Sequence, residues 1–383
     1  MRRDPSPWRK GIEMLVSARC PAAVWICDND SVVPCATTPP DSCHRAYIYE
    51  NAVGGALTDK ALAAPWGDEA LQPLELSTQD AEEMAALETG MGGALFSPVE
   101  ILAPAHVLGL GLRPESGSAA AVTIESLVAE MHPDVDHTVP PVSHTRGGSA
   151  QGYSRWKKWL TAGGLKSYAK RRNDALDPGG VSRMSAYLNL GMVSPMRLAR
   201  ELRQAGAARG SKSGAAKYAK EFLTWRGISY AYCYHHHPKD QAEASLDMLP
   251  AWARQTLLKH AHDPREKLVS LERLRAARSG DAVWDALQAR LVETGEMHNN
   301  ARMGWGKAVL RWSPDPAQAL AALLDLNHRY ALDGHAPPSY GGVLGCLGLF
   351  ESPRGERPVS GQVGMRALKP RYAALRPRAS AAV

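Results

Sequence analysis

Between Ser194 and Tyr330 the chain is punctuated by helix starts and stops, and this limits its fold more than any other feature. Ser194-Pro195 places a capping hydroxyl before a proline at the first helical position and opens MRLARELRQAG, which stops near Gly206. GAAKYAKEFLTWRGISYAYCYHH (214–236) spaces Tyr218, Phe222, Trp225 and Ser229 by four, three and four residues, one stripe of a helix. Asp281 precedes a helix whose Trp284, Leu287 and Leu291 share a side, and Gly295 interrupts it. MHNNARMGWGKAVLRW (297–312) is helical again, until Ser313-Pro314-Asp315-Pro316 closes it and opens AQALAALLDLNHRY. No apolar/polar alternation of period two occurs over 153–330, so this part is expected to be all-α.

The first 150 residues read differently. AAVWICDNDSVVP (22–34) could hold a short buried strand ending at the Asp28-Asn29-Asp30 turn signal. TQDAEEMAALETG (78–90) reads as a helix with Thr78 as N-cap and Gly90 as stop. The apolar run ALFSPVEILAPAHVLGLGL (94–112) is broken by Pro98 and Pro104. HPDVDHTVPPVSHTRGGSAQG (132–152) is rich in turn formers and poor in apolar residues, as a linker would be. The expected fold is therefore mainly α. A small or incomplete α/β domain (1–131) and a linker (132–152) lead into an all-α helical domain (153–372) and a basic tail (373–383).

Charge follows the same division. Residues 1–150 carry 9 Lys+Arg against 20 Asp+Glu, whereas 151–383 carry 36 against 19. A basic half beside an acidic one implies that the second half meets a polyanion, with nucleic acid the first candidate. No run of about 18 apolar residues exists, so no membrane span is expected. MRRDPSPWRKGIEMLV lacks an apolar core, so no secretory signal is expected, and an intracellular location follows. Cys20, Cys27, Cys35, Cys43, Cys233 and Cys346 form no CxxC pairs, which fits free thiols in a reducing compartment. His235, His236 and His237 are adjacent and cannot all face one ion, so no metal site is expected.

Some residues invite chemistry. Trp305 and Trp312 lie seven apart, on one helix face and about 10 Å apart along its axis, and Trp284 on the preceding helix could pack against that face. Such indoles are either core aromatics or steps for electron hopping. Arg302 shares the Trp305 face and would need a carboxylate partner if buried, and Asp333 is the candidate. Ser182 and Ser185 could offer hydroxyl and backbone N–H groups to a phosphate, or simply cap a helix.

RRNDALDPGGVSRMSAYLNLGMVSP, EFLTWRGISYAYCYHHHP and the run from Trp284 through Gly334 resemble, in this order, the flavin-binding domain of DNA photolyases and cryptochromes. The resemblance covers about 155–370, and the 21-then-7 tryptophan spacing looks most like class II cyclobutane-pyrimidine-dimer photolyases. It implies FAD buried among helices and light-driven splitting of pyrimidine dimers in double-stranded DNA by a monomer found wherever DNA is. It also implies electron transfer through Trp284, Trp305 and Trp312, outward to solvent. Tyr168, Val181, Ser182, Arg183, Met184, Ser185, Trp225, Asp285, Arg302 and Asp333 match flavin-site positions, and Asn299, Met303 and Arg226 match substrate- or DNA-facing ones.

The sequence departs from that pattern at four places. Gly227 stands where an acid is usual, Pro338 near an expected asparagine, Gly345 for a lesion-stacking tryptophan, and Val181 for a hydroxyl. The usual N-terminal strand and Arg-Asp-Leu-Arg-like loop is not found either, which argues against a second, antenna chromophore in 1–150. The resemblance thus implies a repair lyase or, with repair lost, a cryptochrome-like blue-light sensor. A helical paralogue that binds no flavin is the third reading.

Overall fold

The computed structural model describes residues 30–63, 136–142, 144–238 and 243–377. The chain divides into two compact units, residues 1–64 with 140–383, and residues 65–139. Of the second unit 136–139 are described, a turn in which the Thr138 hydroxyl donates to Asp136 Oδ1 at 2.6 Å. The expected helix at 78–90 and the apolar run at 94–112 lie outside the described residues, as does the expected strand as far as Asn29.

The first unit is helical. Its order is α1 (Ala46–Val53), α2 (Ala56–Ala63), α3 (Ser149–Thr161), α4 (Gly164–Arg171), α5 (Ser185–Asn189), α6 (Pro195–Gly206) and α7 (Lys212–Ala219). One π-helical stretch (Lys220–Trp225) joins α7 to α8 (Arg226–His236). Then come α9 (Ala251–Lys259), α10 (Leu271–Arg275), α11 (Ala282–Thr294), α12 (Asn299–Trp312), α13 (Pro316–Tyr330) and α14 (Pro337–Cys346). Among the described residues there is no strand, only an isolated bridge between Arg357 and Gly361. The all-α expectation for the C-terminal part therefore holds.

Local chemistry sets the boundaries. The Ser194 hydroxyl accepts from Arg197 N–H, the Asp281 carboxylate from Val283 and Trp284 N–H, and Asp315 from Gln318 N–H. Each satisfies donors that a helix start otherwise leaves unpaired, a stabilisation of about 1 kcal/mol. Gly295 ends α11 at φ +64°, the left-handed conformation that glycine adopts without penalty.

Two apolar clusters hold these helices. One gathers Trp284, Leu287, Leu291, Trp305 and Leu310 from α11 and α12 with Leu323 and Leu326 from α13. The other gathers Trp156, Trp159, Leu165, Tyr187, Leu198 and Tyr218 from α3 to α7. A fully buried Leu of this kind contributes about 1.5–3 kcal/mol through area removed from water.

Three expectations about boundaries meet a different arrangement. Residues 30–63 do not stand apart: Cys43, Tyr49 and Val53 enter the first apolar cluster, and Val32 and Leu62 the second. The expected strand ends at the Asp28-Asn29-Asp30 turn signal and so lies outside the described residues; from Asp30 onward the chain makes bends and enters a 3-10 turn at Cys35–Thr37. Helix α3 begins at Ser149, inside the supposed linker, because Trp156 and Trp159 anchor it in the second cluster. The supposed tail from 373 starts within a 3-10 turn, Pro370–Leu375, whose Tyr372 is buried in the first cluster.

Candidate functional site

A cavity of about 760 Å³ opens between the α4–α5 turn, the π stretch with α8, the start of α12, and α14. That volume falls within the roughly 300–1,000 Å³ typical of cofactor and small-molecule sites. The stripe expected on 214–236 faces it: Tyr218, Phe222, Trp225 and Ser229 all contribute to the wall. The π stretch runs through the middle of that stripe, and π turns inside helices recur where function demands a local change of side-chain direction.

The sequence candidates sort as follows. Tyr168, Val181, Ser182, Arg183, Met184 and Ser185 line the cavity, as do Trp225, Arg302 and Asp333. Arg226, Asn299 and Met303 line it too. Asp285 does not. It is 8% exposed, and its Oδ1 accepts the Ser279 N–H at 2.7 Å, so it braces the turn before α11 instead of facing the cavity.

Arg302 and Asp333 form the expected pair, Nη1 to Oδ1 at 2.9 Å, with Nη2 donating to the Met297 carbonyl at 3.2 Å. A guanidinium this far from water needs such partners. Arg183 sits at φ +55°, strained for a residue with a side chain. Its Nε donates to Glu296 Oε2 at 2.5 Å, while Glu296 Oε1 accepts from Thr145 at 2.9 Å and Arg155 at 3.4 Å. This knot overdetermines the Val181–Ser185 turn. The Ser182 hydroxyl is engaged with the Tyr218 hydroxyl at 2.8 Å, within the wall itself.

The three tryptophans are in contact. Trp284 is the middle ring, 5.8 Å from Trp305 with planes only 7° apart, and 5.7 Å edge-on from Trp312. The Trp284 indole donates to the Trp305 carbonyl at 3.0 Å, and the Trp305 indole to Gln288 Oε1 at 3.1 Å. None of the three lines the cavity; Arg302, one turn before Trp305 on α12, does. The row does not open onto solvent as expected, since Trp312 is 4% exposed and lies beneath the Lys267 ammonium, 4.2 Å from its ring centre.

Sequence reasoning missed Arg172, Glu221, Glu296 and His298. Arg172 Nη2 pairs with Glu221 Oε2 at 3.0 Å, and both residues line the cavity. His298 caps α12, its Nδ1 accepting the Asn300 N–H at 3.1 Å, which places the ring proton on Nε2. Burial lowers the His298 imidazole below its usual range, and the nearby Arg172 and Arg302 charges act in the same direction. Histidine is not among the usual N-caps, so MHN gave no signal. Burial also raises the Tyr168 hydroxyl above its usual range.

The substituted positions differ among themselves. A Cβ on Gly227 would come within 2.4 Å of the Tyr49 hydroxyl oxygen, and Gly227 lines a second cavity, of about 510 Å³, beside α1. A Cβ on Gly345 would meet only Met303 Cε, at 3.8 Å, and one on Gly342 nothing within 4 Å. Both line the main cavity, where α14 thus presents bare backbone.

No family model matches the chain. Deoxyribodipyrimidine photo-lyase from Methanothermobacter thermautotrophicus is 34% identical over 218 residues, 57% of this chain and 46% of that protein. What the chain is similar to over this stretch is the photolyase/cryptochrome family. Two further photo-lyases of that family match, from Arabidopsis thaliana (34% over 200 residues, 52% of this chain and 39% of the relative) and Potorous tridactylus (31% over 230, 60% and 42%). The match spans less than half the length of these relatives. Among solved structures, a Synechocystis cryptochrome is similar at TM-score 0.44 and 19% identity, over 57% of this chain and 44% of the other. Among the described residues no helix is long and apolar enough to cross a membrane.

Proposed function

We propose that the main cavity holds FAD and that the chain acts as a light-driven photolyase on pyrimidine dimers in double-stranded DNA. The observation that carries this reading is the cavity itself, about 760 Å³, walled by Tyr168, Val181, Ser182, Arg183, Met184, Ser185, Trp225, Arg302 and Asp333, residues that match flavin-site positions. The bare backbone at Gly342 and Gly345 leaves room for a flat ring system. The residues present therefore fit the flavin.

Arg302, held by Asp333, would fix the flavin by donating to its oxygens, and the Glu296 knot would keep the Val181–Ser185 turn in place around it. When bound, FAD supplies light absorption and the electron that splits the dimer. Trp225, 38% exposed at the wall, offers an aromatic face on which a base can stack. Asn299, Met303 and Arg226 line the same cavity and would meet the extruded lesion. The 36-to-19 basic excess of residues 151–383 supports phosphate-led DNA binding, and this binding should weaken steeply with salt. Trp305, Trp284 and Trp312 stand at contact distances that support electron relay.

A second reading, a flavin-binding light sensor without repair, is supported by the departures at Gly227, Pro338 and Gly345. Tyr49 fills the space beside Gly227, so no carboxylate can grow there toward a pyrimidine. One experiment separates the two: blue-light irradiation of the flavin-loaded protein with a dimer-containing oligonucleotide. Restored pyrimidines support repair. Unrestored ones at saturating DNA binding refute it and leave the sensor.

A further inference from the structure

At the far end of α13 three side chains converge that no part of the flavin reading uses. One ligand atom each from His328, His335 and Glu243 lies within 4.8 Å of the others. The two imidazoles face one another with centroids 4.2 Å apart and planes tilted by 32°. His328 Nε2 is buried and has no hydrogen-bond partner. His335 is held at φ +59°, an uncommon conformation for a residue with a side chain. Glu243 is steadied from behind, its Oε2 accepting from the Tyr340 hydroxyl at 3.2 Å. Tyr340 also packs edge-on against His328 at 4.7 Å.

We propose that His328, His335 and Glu243 bind a divalent transition metal of the zinc class. Two imidazoles and one carboxylate are a borderline-soft donor set that suits zinc and its neighbours over calcium or magnesium. The Tyr340 bond to Glu243 is the kind of outer contact that orients a ligating carboxylate. Glu243 and His335 are exposed, which leaves a path for entry and a coordination position for water.

The ion would tie the end of α13 to the 331–337 turn and to the segment ahead of the Leu246–Met248 turn. That 331–337 turn carries Asp333, the partner of Arg302, and Ala336, both on the cavity wall. The site is thus a structural clamp beside the cavity, and it stands whether or not FAD binds.

The test uses the full chain, stripped with a chelator and titrated with Co(II) as a spectroscopic probe, then with Zn(II) as competitor. The expected result is one Co(II) per chain, showing ligand-field absorption of a low-coordinate N/O site that Zn(II) displaces. His335→Ala and Glu243→Gln, both at exposed positions and so tolerant of change, should each weaken binding about 10-fold or more. Their metal-free melting should match that of the parent. Absence of any Co(II) absorption would overturn the proposal. So would binding of equal strength in the parent and both variants, since the ion would then sit elsewhere.

Discussion

Two aromatic clusters flank the cavity, and they relate to it in opposite ways. Trp284, Trp305 and Trp312 stack inside the α11–α12 core, and none of them touches the cavity. The other cluster opens onto it: Tyr168, Tyr218 and Phe222 line the wall, and Trp159 and Trp156 extend the array inward at 5.4–5.6 Å spacings from Tyr218 and from each other. Proximity to the cavity would therefore favour the second array, whereas family resemblance favours the first. Identity of side chain separates them physically. The three-indole row has only easily oxidised rings in contact, whereas the route from the second array reaches the wall through phenols, whose hydroxyls burial holds protonated.

The sharpest way to break this comparison is to compare Trp305→Phe with Trp159→Phe in the flavin-loaded protein. Photoreduction of oxidised flavin should fall to background in the first and persist in the second, measured by absorbance under blue light. The opposite pattern would transfer the electron route to the second array. Next in size is Trp284→Ala. It removes the ring that both other indoles pack against, so unfolding in urea should show a loss of about 3–5 kcal/mol, while Trp284→Phe keeps most of that packing.

Arg302→Ala tests the wall between the indole row and the cavity. It strands Asp333 at 21% side-chain exposure, and the loss of a charged hydrogen bond should cost about 1.5–3 kcal/mol together with flavin retention. The smallest effect concerns His298, whose imidazole is lowered by burial. The unfolded chain takes up this proton first as pH falls, so stability is full above about pH 6.5 and declines below it. His298→Gln should flatten that part of a melting-temperature profile, and an unchanged slope would assign it to another group.

What could be read from the sequence was local. The caps at Ser194 and Asp281 act within three residues, and the Tyr218–Phe222–Trp225–Ser229 stripe follows from helical period, so both were legible. The Arg302–Asp333 pair was legible because a cation on a core-facing stripe demands a partner. Long-range assembly was not. The Glu296 knot joins Thr145, Arg155 and Arg183 across 151, 141 and 113 residues. Residues 30–63 dock through contacts such as Tyr49 over Gly227 and the Arg226 bond to the Asp30 carbonyl, which no periodicity announces. Asp285 misled because its place in a motif says nothing of which way its carboxylate turns, and here the Ser279 N–H captures it.

The most direct test of the account is the flavin content of the full chain after reconstitution with FAD and removal of excess. Parent protein should retain close to one FAD per chain, and Arg302→Ala should retain far less while still melting cooperatively. Parent protein that folds yet keeps no flavin absorbance would contradict the central claim that these helices enclose the cofactor.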